Sequence, residues 1–514
     1  MPARRRKECT METTDSSIDL DLAPAASVGI YEILVSFGRR GDEPNDPHRV
    51  HFELIRPVLE RLGRIREVTH PESRLAFAAH SARSRGLTPV HLAFAEPHEV
   101  YLTPTVCTAV VPLWGFEEIP DSDLCRNTRQ NWARVVSRAD AVLTACESAA
   151  EAFRGAGIEV PIRVMPFPVD SEFRELPTHS SDRVSIECRH LVRGGPSPSV
   201  EAIESSHAVV YPDHVTPHAA HRLFIRALPA RAKRAAVRTV KRGYDRFVRR
   251  WLSQEAHDRL KGLKRAVLRR GVPVEPTQAA GPPLPTRKTL TLDGPTFLAT
   301  VDYRDPGTND IDLITAFSIA FRSRENVTLV VALETTPDRE PHDLWRLLHH
   351  YELVKISHEC RLVFISEPLA AESTAELMRG CRYVVDTRRS AREARAVGRA
   401  LAAGRPVIAP DHSALADVVS DRTGFVVRSS PEPAAWPHHP EGRRDSLARR
   451  LDWADLRNRF LEAAALSEEA YRGLSDACRE LSDEHAPKLD ALVENWRSAL
   501  EATSARAEGL DWVD

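Results

Sequence analysis

The sequence is poor in the features that mark several large classes of protein. Its eight cysteines (Cys9, Cys107, Cys125, Cys146, Cys188, Cys360, Cys381 and Cys478) include no Cys-x-x-Cys pair and meet no histidine at zinc-finger spacing. That excludes the usual zinc modules and leaves reduced, buried thiols of a cytoplasmic protein as the plain expectation. No run approaches the roughly 18 apolar residues that a spanning helix needs. The charged start, MPARRRKECTMETTDSS, has no apolar stretch behind it, so no secretory leader is expected and any membrane contact is peripheral. Net charge is only −2, from 71 basic and 73 acidic residues, a balance that argues against a general nucleic-acid binder. No Gly-x-Gly-x-x-Gly follows a strand-like run, which sets aside a dinucleotide-dependent oxidoreductase. No repeat of short period is visible either.

What is present is a globular composition, 42% apolar and 28% charged over 514 residues, which is too long for one core. Residues 1–27 are polar and read as a disordered tail. From 28 to 170 the chain alternates strand-like and helix-like stretches. Strands are expected at Val28–Phe37, Val90–Ala95, Thr108–Leu113, Ala141–Ala145 and Ile162–Phe167, with an amphipathic helix over His48–Leu62. This is the grammar of an open, doubly wound parallel sheet, with Gly38 and Gly41 in the first strand-to-helix loop. Ligands bind off the carboxyl ends of such strands, which places Trp114 and Glu117 at the mouth of this first domain.

Residues 171–290 break the pattern and read as an insertion. Between Arg222 and Arg270 it carries 17 Lys and Arg against three acids, around a helical stripe of Val237, Val240, Tyr244, Phe247, Val248 and Trp251. Such a helix suits an anionic membrane surface, where each cation adds roughly 1 kcal/mol. The same stripe would also serve to pack on a neighbouring domain. A proline-rich linker, Pro273–Arg287, closes the insertion.

A second α/β domain is expected over 291–467, with amphipathic helices over 468–514. Its most legible part is Arg382–Arg428, in which three apolar runs alternate with two helical stretches. Apolar runs of this kind are strands buried on both faces of a parallel sheet. Ser390 and Glu393 have capping-box spacing and Gly404 suits a helix end. Between them Ala394, Val397 and Leu401 fall on one face, while Arg388, Arg392, Arg395 and Arg399 recur on the other.

The order helix, Ala-Ala-Gly-Arg-Pro-Val-Ile-Ala-Pro, loop, helix, Thr-Gly-Phe-Val-Val resembles the donor-binding half of the GT-B glycosyltransferases, in their retaining group-1 or family-four branch. Phe297–Leu333 resembles the strand, loop and helix that open that half. Trp436-Pro437-His438 and Leu451-Asp452-Trp453 resemble tail signatures of a bacterial subgroup. The resemblance implies two Rossmann-like domains and transfer of a hexosyl unit from a nucleotide-sugar to a glycan or lipid-linked acceptor. It implies no bound metal or other cofactor. It also has gaps: the two helix glutamates of the family fall at Ala391 and Arg399, and its diphosphate-holding Arg-Lys pair at Gly307 and Thr308, with Asn309 kept. A catalytically inactive GT-B domain acting as a binding or scaffold protein in glycan assembly is therefore the alternative. The donor-side candidates are Arg304, Asn309, Arg388, Arg392, Glu393, Arg399, His412 and Ser413. Glu393 would serve either as a helix cap or as a sugar contact. The arginines would take a phosphate or acidic sugar by charge, or else be solvated and paired with nearby acids.

Overall fold

The computed structural model describes residues 31–39, 46–169, 171–178, 183–194, 284–439, 441–485 and 489–508. The expected tail at 1–27, the basic stripe at 222–270 and Gly41 lie outside them.

Two parallel sheets organise the chain. The first takes β1 (Tyr31–Phe37), β2 (Gly63–Glu67), β3 (Thr88–Phe94), β4 (Cys107–Val110), β5 (Ala141–Thr144) and β6 (Ile162–Val164) in the order β2-β1-β3-β4-β5-β6. Every pairing in it is parallel. The helices between are α1 (Pro47–Glu60), α2 (Pro71–Arg83), α3 (Trp132–Val136) and α4 (Glu147–Gly155). Asp46 starts α1 by accepting from the His48 amide at 2.9 Å, with Pro47 in the first turn. β2 is absent from the sequence expectations because it is an edge strand, Gly-Arg-Ile-Arg-Glu, with one partly buried aliphatic side chain.

The second sheet has eight strands in the order β14-β13-β12-β9-β10-β11-β7-β8. Its parallel part is β9 (Thr296–Val301), β10 (Thr328–Leu333), β11 (Arg361–Ile365), β12 (Tyr383–Val385), β13 (Val407–Ala409) and β14 (Gly424–Val426). Their helices are α6 (Asp310–Ala320), α7 (Glu340–Val354), α8 (Ala371–Arg379) and α9 (Arg395–Ala402), a short α5 (Ser171–Arg174) having followed the first sheet. Two further strands, β7 (Arg183–Arg193) and β8 (Arg287–Asp293), extend one edge antiparallel to β11 and to each other. β7 falls within 171–290 and β8 begins there and runs past its end, so this stretch contributes to the second sheet at each of its ends. A ribbon, β15 (Ser429–Ala434) and β16 (Ser446–Leu451), leads into α10 (Trp453–Ala464) and α11 (Glu468–His485). The last helix, α12 (Leu489–Glu508), crosses back: Leu492, Trp496 and Leu500 are buried in the core of the first sheet.

The helix expected to open at Ser390 begins five residues later, at Arg395, and the Ser390–Glu393 capping box does not form. Tertiary hydrogen bonds have taken the backbone instead: the Arg389 amide donates to Gly307 O at 2.7 Å, and Ala391 O accepts from the Ala414 amide at 3.2 Å. Glu393 caps the shorter helix by accepting from the Arg395 amide. At the other end Gly404 has φ +65°, the left-handed residue expected there. Among the described residues no helix is long and apolar enough to cross a membrane.

Candidate functional site

In each sheet the strand order reverses at one point, between β1 and β3 in the first and between β9 and β12 in the second. Crevices open at such points, beyond the strand carboxyl ends. The second sheet's crevice faces the first turn of α1, and a charged throat lies between them. Its floor is the turn after β9 (Asp302, Arg304, Asp305) and the turn after β12 (Thr387, Arg388), with Arg392, Glu393 and Arg395 along one side and Pro47, Val50 and Phe167 opposite.

The throat is narrow, about 80 Å³, and its charges are matched inside it. Arg388 holds Asp386 with Nε and Nη2, the latter 2.6 Å from Oδ2, and its Nη1 is 3.2 Å from Glu393 Oε1 and 3.7 Å from Asp305 Oδ2. Burial acts to raise the Asp386 carboxyl, and the Arg388 guanidinium outweighs it, leaving the group below the usual carboxylate range. Glu393 is likewise lowered, with Arg388 and Arg395 overcoming its burial. Asp305 goes the other way: burial raises it despite Arg392 and Arg388. Arg304 is locked to Asp302 in a fork, Nε to Oδ1 at 2.8 Å and Nη2 to Oδ2 at 2.8 Å. The arginine row is therefore neither solvated nor a simple cationic patch.

Beside the throat, sharing Arg304, Glu334 and Arg395 with it, lies a lobe of about 270 Å³ walled by Leu333, Leu369, Leu377 and Met378. Across the cleft, at the β1–β3 reversal, a groove of about 930 Å³ is lined by Arg39, Arg49, Arg129, Glu67 and Glu99. Gly38 beside it faces Glu99, whose carboxylate accepts from the Arg39 amide at 3.2 Å, and a Cβ at Gly38 would collide with that carboxylate. That carboxylate is the mobile end of a side chain and can move aside, so packing alone does not require glycine here.

The candidates separate into three groups. Arg304, Asn309, Arg388, Arg392 and Glu393 come together in the throat. Arg399 lies on the lobe, with its guanidinium 4.9 Å from the Phe173 ring centre. His412, Ser413, Trp114 and Glu117 are at the seam between the domains. Ser413 Oγ donates to Gly115 O at 2.8 Å and Glu117 pairs with Arg449. His412 is buried and its pKa is pushed down to about 4 by that burial. Trp114, 2% exposed, donates from its indole to Glu118 O at 2.9 Å and packs 4.4 Å from Trp132 between ring centres. It is a core residue of the seam. His438, from the Trp436-Pro437-His438 segment, is stacked there at 4.7 Å from both Trp132 and His98.

The seam is also closed by backbone. A Cβ on Gly115 would lie 2.7 Å from the Ala391 carbonyl carbon and 2.9 Å from the Arg392 amide. Gly115→Ala is expected to lower the unfolding free energy by about 1–3 kcal/mol through overpacking. A denaturation midpoint equal to that of the parent would show that the loops part without cost.

Asp302 and Phe167 escaped sequence-based selection. For Asp302 the available signal was its place in the turn after β9. For Phe167 there was none, because only the closing of the domains brings it to the throat. Among the described residues no group of three His, Cys, Asp or Glu is placed to hold a metal ion.

Neither a family model nor a curated protein matches the sequence. Solved structures do match in shape. The E. coli trehalose-6-phosphate structure with bound UDP-2-fluoro glucose is 8% identical, with 91% of this chain and 99% of that one covered and a TM-score of 0.50. HepE of Anabaena in complex with UDP and glucose is 10% identical over 92% and 100% of the two chains, TM-score 0.47. The α,α-trehalose 6-phosphate synthase of Burkholderia multivorans is 10% identical over 93% and 99%, TM-score 0.47. The chain has two Rossmann-like α/β domains in the GT-B arrangement.

Proposed function

We propose that the chain is a glycosyltransferase of the retaining group-1, family-four type, moving a hexosyl unit from a nucleotide-sugar donor to a glycan or lipid-linked acceptor. The observation that carries this reading is the position of the throat: it opens at the strand-order reversal of the second sheet and faces the first turn of α1. In this reading the lobe beside Leu333 and Met378 takes the nucleoside, with Arg399 at its edge. Arg304, Arg392 and Arg395 face the diphosphate, together with the α6 N-terminus at Asn309. The arginine-rich groove at the β1–β3 reversal takes the acceptor. The E. coli protein that shares the fold holds UDP-2-fluoro glucose, so uridine diphosphate sugars are the first donors to test. The basic segment at 222–270 would bring a cytoplasmic protein to an anionic membrane surface bearing a lipid-linked acceptor.

One observation favours a second reading, a non-catalytic GT-B domain in a glycan-assembly complex. Ala391, where the resemblance places a glutamate, is fully buried, and a side chain on Gly307 would strike the Ser390 carbonyl. Melting the protein against a panel of nucleotides and nucleotide sugars, with turnover followed in parallel, separates the two. A ligand at a hundredfold its Kd adds about 2.7 kcal/mol. Arg392→Ala is expected to weaken the bound nucleotide sugar by about tenfold, or ~1.4 kcal/mol. A shift without turnover selects the second reading, and no shift with any of these ligands overturns the first.

A further inference from the structure

The throat and the lobe beside it share one stretch of wall, formed by Val50, Thr300, Arg304, Glu334, Arg395 and Ala396. A nucleotide with its base in the lobe and its diphosphate in the throat must place its ribose at this junction, because the ribose is the covalent link between the two. Of the side chains there, two are aliphatic, two are guanidiniums, one is a hydroxyl and one is a carboxylate.

That carboxylate, Glu334, is the one acid lining the lobe. It directly follows β10, and its amide donates to Val301 O at 2.9 Å, which carries the pairing with β9 one residue past the strand and fixes where the side chain starts. The side chain is 37% exposed, and its Oε2 lies 3.6 Å from Arg395 Nη2. At that separation the charge is balanced but no hydrogen bond is made. Among the described residues nothing donates to the carboxylate, so its acceptor positions are unfilled. Arg399, on the same lobe, has donors only. A vicinal diol is neutral and brings two hydroxyl donors, which suits a carboxylate whose charge is already balanced and whose lone pairs are not used. Hydrogen bonds to an ionised acceptor are roughly twice as strong as those between neutral groups.

With the throat and lobe read as the donor site, on which this rests, we infer that Glu334 accepts from the 2′- and 3′-hydroxyls of the donor's ribose. The donor is then a ribonucleotide sugar and not a 2′-deoxyribonucleotide one. Glu334 acts as a specificity residue, touching a part of the donor that does not react.

Titration calorimetry on the full chain tests this with three pairs that differ only at the 2′-carbon: UDP and 2′-deoxy-UDP, GDP and 2′-deoxy-GDP, ADP and 2′-deoxy-ADP. For the base that fits, the ribose form is expected to bind about tenfold more tightly than its deoxy partner. Glu334→Ala is expected to bring the two forms within about threefold of each other. The ratio is the quantity to read, because loss of a negative charge beside the throat changes both affinities alike and cancels in it. Glu334→Gln keeps one acceptor oxygen and is expected to give an intermediate ratio; it decides if Glu334→Ala shows no melting transition. Equal affinity for the ribose and deoxyribose forms, or an undiminished ratio in the folded variant, overturns the role of Glu334 and leaves the donor site in place. No binding of any of the six nucleotides overturns the donor site and the role of Glu334 together.

Discussion

Replacing Arg388 with alanine is expected to lower the unfolding free energy by about 3–5 kcal/mol, the usual cost of removing one partner from a buried ionic cluster. The side chain is only 16% exposed and serves three carboxylates and the Glu393 carbonyl, the last at 3.0 Å. Deleting it leaves Asp386 without its guanidinium partner and brings Glu393 and Asp305 down to Arg395 and Arg392 alone. For a domain of this size the loss corresponds to a melting temperature lower by roughly 10 °C. The pH dependence identifies the cause. In the parent, Asp386 and Glu393 have pKa values lowered on folding, so their stabilisation is full above the unfolded carboxylate range and fades as pH falls through the folded values. The gap between parent and variant is thus widest above about pH 5 and narrows below about pH 4. Without the guanidinium, burial weighs most on Asp386, whose carboxyl depends chiefly on Arg388, while Glu393 keeps Arg395 and Asp305 keeps Arg392; a carboxyl raised on folding makes the variant gain stability as pH falls from neutral toward 5. Equal losses at pH 7 and pH 4 would place the damage in packing and not in charge.

Arg405→Met is the second large loss expected. Arg405 is fully buried, and its guanidinium donates to Met378 O at 3.1 Å, Pro177 O at 3.0 Å and Thr178 O at 2.5 Å. It fastens the chain leaving the first domain to the end of α8 and the start of β13. Methionine fills much of the same volume but removes three hydrogen bonds and leaves Pro177 O without this donor, at about 1–3 kcal/mol, while Thr178 O keeps the Ser475 hydroxyl at 2.6 Å and Met378 O the Cys381 amide at 3.2 Å. A loss near 3 kcal/mol is expected, read as a lower urea midpoint at unchanged slope. Arg405→Lys should recover less than half of it, because one ammonium cannot span the three carbonyls. Recovery to the parent midpoint with lysine would show that charge alone suffices there. Arg405 belongs to the Ala-Ala-Gly-Arg-Pro run that carries much of the sequence resemblance, so part of that signature is structural.

The parallel strands were legible because strands buried on both faces leave continuous apolar runs. Thr328–Leu333 and Phe297–Val301 show this directly, and every side chain of β10 is buried. β7 left a fainter trace, with Val184, Ile186 and Cys188 buried alternately. This period-two pattern was overlooked because it follows the end of the first domain and pairs at an edge. The start of α9 was misplaced for a different reason. Ser390 and Glu393 carry real capping chemistry, but hydrogen bonds that Arg389 donates to Gly307 and Ala391 accepts from Ala414, both remote in sequence, hold the backbone around them in another course. At the site, residues placed by topology at strand ends did reach the throat, as Arg304, Asn309 and Arg388 show. Trp114 stands at a strand end as well, yet it turns into the seam, and sequence spacing does not report that orientation. Charge balance in the throat was equally illegible, since Asp302, Asp305 and Asp386 are brought to the arginines by turns of two different strands.

The crossing of α12 constrains how the protein can be born. The first sheet is complete at Val164, but Trp496, 1% exposed in its core, belongs to a helix that starts at Leu489. A ribosome adding roughly 5–20 residues per second needs on the order of half a minute to travel between them. Throughout that interval the nascent amino-terminal lobe presents an uncovered apolar flank. Its maturation must therefore await the synthesis of α12, and until then the flank is a natural foothold for chaperones.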